Sequence, residues 1–121
     1  MILVDTSIWI DHLHRDDPHL RMLLEEDRAG CHSLVLEELA LGSMAQRDTV
    51  LAALGDLMRP AEVSHGEVQA FVHAHRLWGR GLGAVDVRLL ASCVITPGAR
   101  LWTRDKRLHA AAEELGIAHA V

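Results

Sequence analysis

Four separated acids, Asp5, Glu38, Asp86 and Asp105, stand out from the ordinary surface charges of this 121-residue chain. Asp5 directly follows Ile2-Leu3-Val4, a continuous apolar run of the kind found in a parallel strand buried on both faces. In open α/β sheets the ligand crevice lies at that carboxyl end. Glu38 lies among Leu34, Val35, Leu39 and Leu41, one turn from Leu34 and on the side expected to face inward, whereas Glu37 points about 100° away. Asp86 is in line with Leu89, Leu90, Cys93 and Val94, and Asp105 comes one turn before Leu108 and ahead of Ala112 and Leu115.

Each acid also has a plainer explanation. Asp5 could cap the next helix. Asp86 and Asp105 could be first-turn acids favoured by the helix dipole. Together, however, three acids continue apolar stripes and a fourth ends a strand, and a buried acid is costly unless something pairs with it. Strand carboxyl ends and the following helix amino ends share one sheet edge, so Asp5, Asp86 and Asp105 would meet there, with Glu38 reaching in from its own helix. Four carboxylates in one pocket repel and raise one another's pKa. A hard divalent cation, Mg²⁺ or Mn²⁺, relieves that repulsion through oxygen ligands while keeping positions for water and phosphate. The chemistry indicated is metal-dependent phosphodiester hydrolysis.

The elements that must position these acids alternate between strands and helices, which implies a parallel sheet covered on both sides. Strands are expected at Ile2-Leu3-Val4, Cys31-His32-Ser33, Ala61 to Val63, Leu101-Trp102 and Ile117 to His119. A helix should follow Asp5-Thr6-Ser7 and end near Arg15. Another should start at Asp16-Asp17-Pro18 and stop at Gly30. Further helices are expected over about 34–41 (stopped by Gly42), 47–58, 64–78 (capped by Ser64), 84–95 and 103–115. No repeat, low-complexity segment or linker divides the chain, so residues 1–121 read as a single domain.

Composition narrows the function classes. Half the residues are hydrophobic, enough for a core, which excludes disorder and a disulfide scaffold. The formal net charge is −5, and aromatics amount to three Trp and one Phe with no Tyr. Neither a general basic face nor a base-stacking platform is therefore expected, and any nucleic-acid contact must be local and metal-assisted. Cys31 and Cys93 lie in apolar stretches and read as buried reduced thiols. Met1 opens directly into a strand-like run, and no stretch approaches the ~18 apolar residues of a membrane helix. A cytoplasmic protein without membrane contact is expected. His12-x-His14 and His73-x-His75 resemble metal-ligand spacing, but i, i+2 positions on a helix do not face each other. Gly79 to Gly83 lacks the Lys and Ser/Thr of a P-loop and reads as a hinge before Asp86. Trp9, Leu13, Leu20, Leu24 and Trp78 read as core or interface.

The stretches MILVDTSIWIDHL, LVLEELALG, GAVDVRLLASCV and LWTRDKRL, in this order and spacing, resemble the VapC toxins, PIN-domain ribonucleases of bacterial toxin–antitoxin pairs. Asp-Thr-Ser alone is a weak signal. With Thr-Arg-Asp-Lys-Arg after a hydrophobic strand, and a Glu four residues before Gly42, it is strong. The resemblance implies a three-layer α/β/α sandwich with a mostly parallel five-stranded sheet. It makes Asp5, Glu38, Asp86 and Asp105 the catalytic quartet, with Asp5, Asp86 and Asp105 as the main ligands of Mg²⁺ or Mn²⁺. Thr6, Ser7 and Thr103 match hydroxyl positions that orient the acids or a metal-bound water. Arg104 and Lys106, beside the pocket, would hold RNA phosphates, while Arg107 reads as a solvated surface charge. Partners implied are an RNA such as tRNA or rRNA, a second copy of the chain, and a cognate VapB-type antitoxin. That antitoxin would close the site in a heterotetramer or larger assembly and supply any DNA contact. Two other classes compete: a receiver-like signalling domain, which would need adjacent acids after the first strand, and a catalytically silent PIN interaction module.

Overall fold

The computed structural model describes all residues, 1–121. In chain order the elements are β1 (Ile2–Val4), α1 (Thr6–His14), α2 (Pro18–Glu25), β2 (Ala29–Gly30), α3 (Ser33–Leu41), α4 (Arg47–Gly55), α5 (His65–His75), α6 (Ala84–Ile95), β3 (Arg100–Trp102) and α7 (Lys106–Glu114). The three strands form a parallel sheet in the order β2-β1-β3. Each parallel pair is joined through helices, as parallel pairing requires, and the first strand lies between the other two. β1 is central and fully buried, as its unbroken apolar run requires.

The sheet is smaller than the five strands expected. Two single parallel bridges, Gly30 to Met58 and Leu101 to Ala118, flank it. The bridge at Ala118 lies inside the expected last strand. The other falls at Met58, before Pro60, rather than at Ala61 to Val63. The second strand also lies earlier than expected, at Ala29–Gly30, because Cys31 and His32 already turn into α3.

Gly30 is therefore a strand residue and not the stop of α2. That helix ends at Glu25, and Asp27 takes the left-handed turn with φ 53°. A Cβ on Gly30 would meet the Met1 side chain at 2.5 Å and the Met58 carbonyl at 3.2 Å. Glycine is thus required by close approach and not by capping. The other helix boundaries follow local chemistry. Asp17 caps α2 by accepting from the His19 and Leu20 N–H groups. Ser64 and Glu67 form a reciprocal capping box at the start of α5. α4 and α5 end earlier than their apolar periodicity suggests, at Gly55 and His75.

One apolar core runs through the molecule, built on β1, β3, α6 and α7 with Ile8, Trp9, Leu20, Leu23, Val35 and Leu39 from the other side. Trp9 is buried and its indole N–H donates to the Val4 carbonyl at 3.2 Å, which fixes α1 against the end of β1. Leu13 and Trp78, read as core or interface from the sequence, are exposed. Cys31 and Cys93 are buried free thiols, pushed by burial to about 11 and about 12 respectively. No helix is long and apolar enough to cross a membrane.

Candidate acidic site

The register of β1 against β3 builds the centre of the site. Val4 pairs with Trp102, and the Asp5 N–H continues the ladder to the Trp102 carbonyl at 3.0 Å. Asp5 and Thr103 are therefore the next residues along two adjacent strands. The Thr103 hydroxyl donates to Asp5 Oδ2 at 2.7 Å, in a buried setting. The Thr103 hydroxyl oxygen in turn accepts from the Asp105 N–H at 3.1 Å. One threonine thus links the acid of the first strand to the acid that follows the third.

Asp5 also caps α1, its Oδ1 accepting from the Thr6 N–H at 2.8 Å. The Thr6 hydroxyl donates to Glu38 Oε1 at 2.6 Å, which ties α3 to the start of α1. Asp86 Oδ2 accepts from the Gly83 N–H at 2.9 Å, so Asp86 is held at the first turn of α6. Asp105 caps α7, with Oδ1 accepting from the Arg107 and Leu108 N–H groups at 2.9 and 3.0 Å. The capping and pocket explanations open in the sequence are therefore not alternatives. A helix-capping carboxylate places its second oxygen at the strand-to-helix edge.

Electrostatics joins the four. Burial raises the Asp5 carboxyl above its ordinary range, against the lowering effect of the Thr103 hydroxyl and Thr6 N–H, and the charges of Glu38 and Asp105 raise it further. Burial likewise raises Asp86, opposed by the Gly83 N–H and reinforced by Asp5 and Asp105. Asp5 thus feels Glu38 and Asp105, and Asp86 feels Asp5 and Asp105, like-charge crowding of the kind expected near a cation site.

Their depth differs from expectation. Only Asp5 is buried; Asp86 is half-buried, and Glu38 and Asp105 are exposed. In α3 the buried residues are Val35 and Leu39, while Leu41 is 89 % exposed. Glu38 thus borders the apolar stripe instead of continuing it. Glu38 and Asp105 therefore lie at the surface and not in an internal pocket.

The donor set is all hard oxygen. Asp86 Oδ1, Asp105 Oδ2 and Glu38 Oε2 remain free of protein hydrogen bonds, but no three His, Cys, Asp or Glu side chains stand close enough together to hold a metal ion among them. That openness fits Mg²⁺, which is commonly held by one or two carboxylates and keeps several waters. It does not fit a closed four-ligand zinc site.

Other expected site residues are placed differently. Ser7 is exposed and bonds to none of the acids. Lys106 is exposed at the start of α7. Arg104 turns away from the acids: its terminal nitrogens donate to Asp11 Oδ2 at 2.7 Å and Asp17 Oδ2 at 2.6 Å, and its guanidinium lies over the Trp102 ring at 5.7 Å. Two carboxylates thus occupy the fork that the sequence reading assigned to RNA phosphate.

One arrangement that the sequence did not show is His32 against Ser92, Nε2 to Oγ at 3.2 Å, with Glu62 near Nδ1 at 3.9 Å. It resembles a hydrolytic triad. However, His32 Nδ1 accepts from the Leu34 N–H at 3.0 Å as the cap of α3, and Ser92 is fully buried. With Nδ1 an acceptor it cannot donate to Glu62, so this trio is structural.

The sequence matches the family model described as PIN domain over residues 2–114. It is also 60 % identical over 120 residues to Ribonuclease VapC32 of Mycobacterium tuberculosis, in strain CDC 1551 / Oshkosh and in strain H37Rv, covering 99 % of this chain and 97 % of each relative. The chain belongs to the PIN-domain family and to its VapC branch. The PIN match spans all four acids, from Asp5 in the first strand to Asp105 at the last helix. It also accounts for the parallel α/β sheet that carries them.

Proposed function

We propose that this VapC-family chain is a metal-dependent endoribonuclease that hydrolyses RNA phosphodiester bonds as the toxin of a toxin–antitoxin pair. The observation that carries the proposal is the Thr103 bridge, which holds Asp5 beside Asp105 in a PIN domain whose near relative is named a ribonuclease. Asp5, Asp86 and Asp105 would hold Mg²⁺ or Mn²⁺, and Glu38 would orient the attacking water. When bound, the cation offsets charge on the phosphoryl oxygens and acidifies a coordinated water. Thr103 and Thr6 keep Asp5 and Glu38 held at the site, so that little reorganisation accompanies the reaction. The raised carboxyls of Asp5 and Asp86 give up their protons more readily once a cation is present, so activity should rise with pH in the acid range.

The two edge bridges are taken as the reduced outer strands of a five-stranded sheet in an α/β/α sandwich. Beside Glu38 lies a cleft of about 410 Å³ lined by Ile10, Leu13, Leu39 and Met44. This apolar opening next to the acids suits a VapB-type antitoxin segment, which would block the site; homodimer and heterotetramer assembly accompany that reading. A cytoplasmic location agrees with such a partner and with an RNA substrate.

The test is incubation of the purified chain with bulk tRNA and rRNA in Mg²⁺ or Mn²⁺, then with EDTA. Cutting that requires the cation supports the proposal. Cutting unaffected by EDTA contradicts the metal role, and no cutting with either cation favours the silent interaction module.

A further inference from the structure

We infer that Arg107, resting on Gly81 at the rim between Asp86 and Asp105, is an RNA-phosphate ligand of this site; the inference rests on the ribonuclease proposal. The backbone of Arg107 is fixed by its N–H bond to Asp105 Oδ1. Its side chain then crosses to the glycine loop. A Cβ on Gly81 would collide with the Arg107 Nη1, with Cδ at 2.9 Å and with Cζ at 3.0 Å. Gly81 has φ +77° and stands two residues before Gly83, whose N–H holds Asp86. The Arg107 side chain therefore spans from the start of α7, beside Asp105, to the loop that precedes the helix of Asp86.

Three observations separate Arg107 from a solvated surface charge. First, of the six arginines without an acidic partner (Arg15, Arg59, Arg76, Arg88, Arg100 and Arg107), it alone is bonded through its backbone N–H to one of the four acids. Second, its platform is anchored: Arg80, in the same loop, makes a two-pronged contact with Glu114 near the end of α7, at 2.8 and 2.9 Å. Third, the platform is a glycine with a left-handed backbone, so no side chain covers the guanidinium from below. An arginine held in place with its fork unused is suited to a phosphate, which it can grip by two parallel N–H bonds. In a chain of net charge −5, one local cation beside the acids also keeps the polyanion from being repelled from the site.

The test measures binding of labelled oligo(U) by anisotropy in Mg²⁺, on an Asp5→Asn background that prevents cutting. Arg107→Ala should weaken binding about three- to tenfold, and the slope of log affinity against log salt should shrink by about 0.7, one released counterion on a single strand. Arg107→Lys should restore the slope but not the full affinity. Gly81→Ala should weaken binding only while Arg107 is present, the mark of direct coupling in a double-mutant cycle. Thermal melts identify any misfolded variant; Arg107 is exposed, so its substitution should leave them unchanged. Wild-type affinity and salt slope in Arg107→Ala would overturn the inference and leave the ribonuclease proposal standing. Arg107-dependent binding by a chain that cuts no RNA would remove the ribonuclease proposal and keep the phosphate ligand. Absence of any oligo(U) binding would overturn the inference alone if RNA is still cut, and both if it is not.

Discussion

Replacing Thr103 with valine should destabilise the protein more at neutral pH than at acid pH. Valine keeps the volume of this buried side chain but removes its hydroxyl. Two hydrogen bonds disappear, the donation to Asp5 Oδ2 at 2.7 Å and the acceptance from the Asp105 N–H at 3.1 Å. Asp5 lies buried near Glu38 and Asp105, and the Thr103 hydroxyl is the largest influence opposing the burial that raises it. Without that hydroxyl the ionised carboxyl is stranded. A hydrogen bond to a charged group contributes about 1.5–3 kcal/mol and a neutral one about 1 kcal/mol. The loss should therefore be about 2.5–4 kcal/mol near neutral pH, falling toward about 2 kcal/mol once Asp5 is protonated. The sign follows from linkage: the folded carboxyl is raised above 3.8, so the variant raises it further and the penalty grows as pH rises through that window. Urea unfolding in EDTA at about pH 7.5 and about pH 4 measures both values, and the neutral loss corresponds to a midpoint shift of about 1–2 M. An equal loss at the two pH values, or none at neutral pH, would refute the coupling of Thr103 to an ionised Asp5.

Other outcomes follow from the same contacts. His32 is buried and held below its ordinary 6.5 chiefly by burial. Its folded state resists protonation, so stability should fall as pH drops below about 6.5, and His32→Asn, which keeps a cap acceptor for the Leu34 N–H, should flatten that loss in pH-dependent melts. Arg104→Ala removes an exposed contact with Asp11 and Asp17 and should lower stability by less than about 1 kcal/mol, with oligo(U) affinity unchanged in the assay that Arg107→Ala disturbs. Gly30→Ala should cost about 1–2 kcal/mol in urea melts, because the Met1 side chain can move aside but the Met58 carbonyl, 3.2 Å from the new Cβ, has less freedom.

The parts of the fold that were legible are those set by local chemistry. Ile2-Leu3-Val4 reads as a buried strand because nothing polar interrupts it, and Ser64 with Glu67 reads as a helix start because the capping box is local. Asp5 and Asp105 were legible at the strand-to-helix edge, and Asp86 in the first turn of its helix, because an acid at a helix start bonds to backbone N–H groups there. Gly30 misled because glycine after a helical run usually ends a helix, and its true reason, the approach of Met1 and Met58, is long-range. The outer strands were overestimated because a single bridge leaves almost no periodic signal. Glu38 was expected to face the core because its apolar neighbours Leu34 and Leu41 were counted as buried, and Leu41 is not. Arg104 and Arg107 are equally basic in sequence. Only their tertiary partners, two carboxylates for one and a bare glycine for the other, distinguish them.

Asp5→Asn tests the central claim most directly. The amide keeps the size of the side chain; its one oxygen can still accept from the Thr6 N–H and its NH2 can donate to the Thr103 hydroxyl oxygen, while a buried charge is removed from beside Glu38 and Asp105. The variant should melt at or above the wild-type temperature at neutral pH, since a destabilising charge at a functional site has gone. Under conditions where the wild type cuts RNA with Mg²⁺, it should show no cutting above background. A well-folded Asp5→Asn protein that cuts RNA at the wild-type rate would contradict the assignment of the reaction to this acidic site.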